Sequence, residues 1–326
     1  MKLQILVNHY KEDNYIVSRF LSSLEMQKMV DFEVLIYTDG GVKLDLDFLH
    51  QFNLKITYKY LPHKGVCHTR NQLLDDATAD YVVFCDIDDC FSSFDGLFLL
   101  VQAIEENNAD AVYSPYQNEK YIEGKYQYNT LYRDGIRIHG KIFRRQYLID
   151  KQIRFPDELE TSGDMMFMWL AGSLADTLIW IPENFYIWKY NPQSVTRYDM
   201  YATVYQLPRT IKCYTLLAYN LIDRRRKDLF DILVAGTVAM IFLESTTQKW
   251  IDAPKEAKKS VRLAAKDYLL EFYEYYKQLP DTIKLNYFSR VKTNRYYYNT
   301  AKDYSYIDEW ANETLEDIQQ QKEEIQ

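Results

Sequence analysis

Residues Tyr81–Phe91 read YVVFCDIDDCF, an apolar run from Tyr81 to Cys85 that passes straight into Asp86, Ile87, Asp88 and Asp89. A short apolar run that ends in polar residues is the pattern of a strand buried on both faces, as in a parallel sheet. Aspartates spaced i, i+2 at the end of such a strand can point the same way and offer hard oxygen ligands to Mg²⁺ or Mn²⁺. Such an ion suits a diphosphate, whose charge it neutralises as a bond to the second phosphate breaks. Taken alone, the motif is also what an acidic surface turn looks like. Its neighbours in the chain have to decide.

Before this stretch, Leu3–Val7, Phe32–Tyr37 and Leu54–Tyr60 read as strands, and Asp110–Tyr113 begins another after it. Between them, Tyr15–Met29 has a helical period through Ile16, Val17, Phe20, Leu21 and Leu24. The segment after Gly65 through Leu74, and Leu97–Glu106, also read as helices. Strands separated by helices imply a mainly parallel sheet covered on both faces, with ligands outside the carboxyl ends of the strands. Those ends carry Asn8, His9, Tyr10 and Glu12; then Asp39; then Lys64 and Gly65, with Arg70 and Asn71 in the next helix; then Asp86, Asp88 and Asp89. Asp39 could accept the N3–H of a uracil or thymine ring, or simply form the turn with Gly40 and Gly41. Arg70 could reach phosphate or hold the aspartates, or pair with Asp75 or Asp76 on a helix surface.

From about Tyr201 the character changes, and helical patterns follow over Met200–Asn220, Leu229–Trp250, Ala257–Gln278 and Tyr304–Gln320. Tyr268, Leu269, Phe272, Tyr273 and Tyr276 have the spacing of one apolar helix face. The expected organisation is a catalytic domain over residues 1–200 and a helical domain over 201–326 for acceptor binding or oligomerisation.

The 326 residues, 47% hydrophobic and 26% charged, are those of a globular chain. A net charge of −8 gives no general affinity for nucleic acid or anionic membranes. The near-apolar stretch Ile232–Leu243 is well short of the ~20 residues a membrane span needs. The N-terminus turns polar too soon for a signal peptide, so a cytoplasmic location is expected. Cys67, Cys85, Cys90 and Cys213 form no CxxC pair and read as free thiols. Thirty tyrosines are most simply packing and codon bias, with sugar stacking as the alternative.

Four blocks in order, ILVNHYKEDNYI, VLIYTDGG, HKGVCHTRNQLLDDATADYVVFCDIDD and HGKIFRRQYLIDKQIRFPDELETSGDMMF, resemble those of family 2 glycosyltransferases with the GT-A fold. The likeness spans roughly Met1–Arg197. It implies a mostly parallel mixed sheet flanked by helices, followed here by an all-α C-terminal domain. It implies that Asn8, Tyr10, Glu12 and Asp39 hold the base and ribose of a nucleotide-sugar, with a UDP-sugar favoured. It matches Arg70 to the family's arginine, and Asp86 and Asp88 to the ligands of Mn²⁺ or Mg²⁺, with Asp88 ahead of Asp86 and Asp89. Asp164 matches the catalytic base, although Gly163 stands where the family usually carries glutamate; an aspartate there is also a good helix N-cap. Arg197 would contact donor phosphate, and His139 and Lys141 would line the acceptor cleft.

The reaction so implied is inverting transfer of one sugar to an acceptor hydroxyl, favoured as a glycan or cell-surface polymer. The QxxRW motif of processive members is absent. A modified base in phage-type DNA is the alternative acceptor, with Arg224–Lys227 as its one basic run. A GT-A-like module that binds without turnover is the non-enzyme alternative.

Overall fold

The computed structural model describes residues 2–159, 163–192, 202–293 and 303–323. The chain divides into two compact units, Met1–Pro192 and Gln193–Gln326. The expected border at residue 200 falls outside the described residues.

The first unit begins with β1 (Leu3–His9), α1 (Asn14–Glu25), β2 (Phe32–Asp39), a one-turn α2 (Leu46–Leu49), β3 (Ile56–Leu61), α3 (Val66–Asp76) and β4 (Tyr81–Asp86). Then come β5 (Cys90–Phe91), α4 (Gly96–Glu106), β6 (Ala111–Tyr113), β7 (Tyr116–Ile122), β8 (Lys125–Leu131) and β9 (Lys141–Arg144). It closes with α5 (Arg145–Asp150), α6 (Gly163–Ser173), β10 (Leu178–Trp180) and β11 (Tyr186–Trp188).

Among the described residues, seven strands form one sheet in the order β10-β6-β9-β4-β1-β2-β3. All its pairings are parallel except those of β9, which runs antiparallel to β4 and β6. Leu3, Ile5 and Val7 of β1 and Val83 of β4 are buried against Val17, Phe20, Leu21 and Leu24 of α1 in one core. That is why these strands read as continuous apolar runs. This is the mixed α/β GT-A-like arrangement, and it sets the carboxyl ends of β1, β2 and β4 side by side.

A second sheet, β5-β11-β7-β8, lies on from the acidic turn. Its β7–β8 hairpin was not legible as strands, because QNEKYIEGKYQYNTL is mostly polar. The turn chemistry gives it away: Glu123 and Gly124 both have positive φ, 51° and 77°, which a two-residue hairpin loop of primed type requires.

The second unit is helical: α7 (Ala202–Asp223), α8 (Lys227–Glu244), α9 (Gln248–Asp252), α10 (Lys255–Gln278), α11 (Asp281–Lys292) and α12 (Ile307–Glu323). The helix expected over Leu229–Trp250 divides in two. Ser245, Thr246 and Thr247 turn their hydroxyls back onto carbonyls three residues earlier, and Thr247 caps α9 by accepting from Trp250 N. Of the basic run, Arg226 pairs with Asp228 and Lys227 with Asp231, as in a solvated connection between helices. No described helix is long and apolar enough to cross a membrane.

Candidate active site

Arg70 lies in α3 about one turn past its start at Val66, and burial of its helix face leaves it 4% exposed. A buried guanidinium must be satisfied on every side. Its Nη2 donates to Asp86 Oδ1 at 2.6 Å, its Nη1 to Asp164 Oδ1, and its Nε to Asn8 Oδ1 at 3.3 Å. The Phe155 ring covers its flat face, 5.3 Å from the guanidinium carbon. One side chain thus ties together the ends of β1 and β4 and the first turn of α6. The surface alternative is ruled out, since Asp75 pairs with Arg154 and Asp76 with Lys59.

Burial alone would raise the Asp86 carboxyl, but Arg70 outweighs it and holds the pKa below the usual range. Burial raises Asp164, with Arg70 opposing. Asp164 is the second residue of α6, within the helix and not its cap. Asn71 fixes the approach to it, accepting from Phe155 N at 3.0 Å and donating to Phe155 O at 2.9 Å. Gly163 has a local reason: a Cβ there would collide with the Cys67 sulfur.

In the acidic turn, burial and the charge of Asp86 push the Asp88 carboxyl up to about 6, with Asn191 opposing by donating to its Oδ2 at 3.0 Å. Arg19 holds the Asp88 carbonyl. Asp89 is fully buried and accepts from Tyr186 OH at 2.8 Å and from Lys189 N at 3.0 Å. One ligand atom each from Asp86, Asp89 and His139 lie within 4.8 Å of one another. The His139 ring is buried between Tyr186 and Trp188, at 5.5 and 5.3 Å, and its Nδ1 has no hydrogen-bond partner. Burial lowers its pKa to about 3. Clustered carboxylates beside an orphaned imidazole nitrogen are a donor set that fits a hard or borderline divalent cation.

At the other end of the strand row, Asp39 holds the loop that leads into α3. It accepts from Lys64 N at 2.7 Å, Gly65 N at 2.9 Å and His63 Nδ1 at 3.0 Å. The Tyr10 ring stacks on His63 at 5.0 Å. Gly41 allows the close approach of the Tyr10 carbonyl, which a Cβ would strike. Glu12 turns back on its own loop, accepting from Tyr10 N and Lys11 N.

Asn8, Arg70, Asp86 and Asp164 therefore meet, Asp88 and His139 adjoin them, and Asp39 and Tyr10 flank the far side. Lys141 is fully buried, donates to the His139 carbonyl at 2.9 Å, and burial lowers its pKa to about 7. Arg197 lies outside the described residues. Sequence reasoning missed His63, Arg19 and Asn191. For Asn191, the polar amide between Tyr190 and Pro192 was the available signal.

The model of glycosyl transferase family 2 matches residues 5–170. The chain belongs to that family. As a family 2 glycosyltransferase it has bacterial relatives. Poly(ribitol-phosphate) β-N-acetylglucosaminyltransferase TarS of Staphylococcus aureus (strain Mu50) is 26% identical over 186 residues, 51% of this chain and 32% of TarS. Glycosyltransferase GlyA of Streptococcus pneumoniae serotype 4 is 25% identical over 152 residues, 45% of this chain and 22% of GlyA. The chain thus matches about a third or less of these relatives' length. Among solved structures, S. aureus TarS 1–349 superposes with a TM-score of 0.66 at 19% identity, over 98% of this chain and 92% of that one. TarS 1–349 is also solved with UDP and with UDP-GlcNAc. The mannosyltransferase PcManGT of Pyrobaculum calidifontis, solved with GDP-Man and Mn²⁺, has a TM-score of 0.51 at 14% identity, over 97% of this chain and 87% of that one.

Proposed function

We propose that the chain transfers one N-acetylglucosamine from UDP-GlcNAc, with inversion, to a hydroxyl of a polyol- or sugar-based cell-surface polymer. The observation that carries this reading is Arg70, which joins the carboxylate of Asp86, 16 residues on, to that of Asp164, 94 residues on. A diphosphate site and a proton acceptor held by one buried cation are what a single displacement at an anomeric carbon needs. The donor and polymer are supported by the likeness to TarS, a poly(ribitol-phosphate) β-N-acetylglucosaminyltransferase solved with UDP-GlcNAc.

In this reading Asp39, Tyr10 and His63 take the uridine, with the stacked rings of Tyr10 and His63 offering an apolar surface to uracil. Asn8 and Arg70 orient the diphosphate end. Asp86 and Asp88 hold Mn²⁺ or Mg²⁺, which when bound offsets the charge that develops on the departing UDP. Asp164 removes the acceptor proton as that oxygen attacks. Burial makes it a better base than a free aspartate, and Arg70 keeps it ionised and aimed. DNA as acceptor has less support, since Arg226 and Lys227 are already paired with acids.

Asp164→Asn should lower UDP release with acceptor by about 10²- to 10⁴-fold, the usual worth of a general base, while UDP-GlcNAc still binds. Asp88→Ala should lower both. Wild-type turnover in either variant, with Mn²⁺ and donor supplied, would sink the proposal.

A further inference from the structure

The hairpin of the second sheet carries a feature that the transfer reaction leaves unexplained. The register pairs Glu119 with Tyr128 and Tyr121 with Tyr126, so these four side chains share one face of β7–β8. The opposite face carries the pairs Lys120–Gln127 and Ile122–Lys125. Tyr121, Tyr126 and Tyr128 are 48%, 60% and 51% exposed, far more than packing tyrosines, and they stand together on one side. Tyr121 and Tyr126 have ring centroids 5.0 Å apart, and Tyr190 stacks on Tyr121 at 6.0 Å. The result is a continuous platform of tyrosine rings.

That platform is continuous with the candidate active site. Glu119 accepts from Tyr190 N at 3.1 Å and pairs with Lys189, whose backbone N–H donates to Asp89 at 3.0 Å. The next residue, Asn191, donates to Asp88. Residues 189–191 therefore form a shared border, with the acidic turn on one side and the tyrosines on the other. Tyrosine rings offer flat apolar faces with a polar edge, which suits the C–H faces and hydroxyls of a polyol chain. The hairpin itself is charge-neutral, with Lys120 and Lys125 against Glu119 and Glu123, so it does not repel an anionic polymer as the acidic chain as a whole would. A second copy pairing along the open edge of β8 is the other natural occupant. Exposed Lys125 on that edge, with Lys120 on the adjoining strand, opposes such pairing.

We propose that the tyrosine face of β7–β8 is the docking surface for the acceptor polymer, holding repeats next to the one being glycosylated by ring stacking. This rests on the transfer reading given above, with a polyol-phosphate chain as occupant.

The test uses the full chain and poly(ribitol phosphate) as probe, with free ribitol 5-phosphate as the single-unit control. Tyr121→Ala combined with Tyr126→Ala should raise the KM for the polymer about tenfold. The KM for UDP-GlcNAc, the kcat at saturating polymer and the slow release of UDP without acceptor should hold. The KM for ribitol 5-phosphate should not move, because one unit at the reacting centre does not reach the rings. Replacing both tyrosines by phenylalanine should restore the polymer KM, since the rings remain. An unchanged polymer KM in the alanine variant would overturn the proposal. So would a variant whose only change is loss of self-association in sedimentation, which would make the face a contact between copies. If the wild type releases UDP from the donor but does not use this polymer, the docking proposal falls and the donor reading stands. If it neither binds nor hydrolyses UDP-GlcNAc, the transfer reading falls first.

Discussion

At position 163 the α-carbon lies so close to the Cys67 sulfur that the first atom of any side chain would collide with it. The glycine that departs from the family's usual glutamate is thus paired with a buried thiol in α3. Burial pushes that thiol up to about 12, which keeps it protonated and inert. Gly163→Ala should lower stability by about 1–3 kcal/mol, the usual penalty of overpacking. Adding Cys67→Ala should return most of it, because the colliding atom is gone. Urea unfolding of the two single variants and the double variant measures the coupling. Additive losses would show that the two positions do not press on each other. The same scale shows what the sequence could and could not tell. Arg70 was legible as a candidate because it lies about a turn into the helix that follows a strand end, and holding the aspartates was one of its expected roles. Asp164 as its second partner was not, since nothing in spacing says that residue 164 returns to residue 70. Nor did the sequence show that Asp89, one of the three candidate ligands, accepts from Tyr186 OH and Lys189 N on its two oxygens.

Among elements, the parallel strands and their helices were legible because burial on both faces leaves unbroken apolar runs. The second sheet was not, because its hairpin is polar along nearly its whole length and its short strands β5 and β11 have too few residues to show a period. The segment that leaves this hairpin is held by Asp134, which accepts from Ile136 N at 2.8 Å, Arg137 N at 3.1 Å, Arg137 Nη1 at 2.7 Å and Tyr116 OH at 2.5 Å. Burial alone would raise its pKa, but Arg137, the tyrosine hydroxyl and the backbone donor hold it at about 2. The unfolded chain has an aspartate near 3.9, so the folded state binds the proton less readily. The stabilisation is complete above about pH 4 and is lost as the pH falls through about 2; it amounts to roughly 2 kcal/mol. Asp134→Asn should therefore be less stable than the wild type by about that amount at pH 7. The gap should close between pH 4 and pH 2 in denaturant titrations. A gap that stays constant over that range would mean the carboxylate charge contributes nothing and only the hydrogen bonds matter.

At the scale of the molecule, the acidic turn is a cluster of like charges that buried Arg70 offsets only in part. Arg70 neutralises Asp86 and Asp164, while Asp88 accepts from the Asn191 amide and its pKa is pushed up to about 6. Metal alone must compete with a nearby guanidinium for Asp86, so its affinity should be modest. With UDP in place, the diphosphate would supply further oxygens to an ion held by Asp86 and Asp88. Binding of each should then strengthen the other, and by linkage the two enhancements are equal. Ligands that bind only the folded state raise the melting temperature, by about 2.7 kcal/mol of stability at a concentration of 100 times Kd. Mn²⁺ and UDP together should raise the melting temperature by more than the sum of their separate shifts. Asp88→Ala should reduce the pair to that sum while leaving the shift from UDP alone in place, because Asp39, Tyr10 and His63 lie at the opposite end of the strand row. Strictly additive shifts in the wild type would show that metal and diphosphate do not share a site, and would move the cation away from the acidic turn.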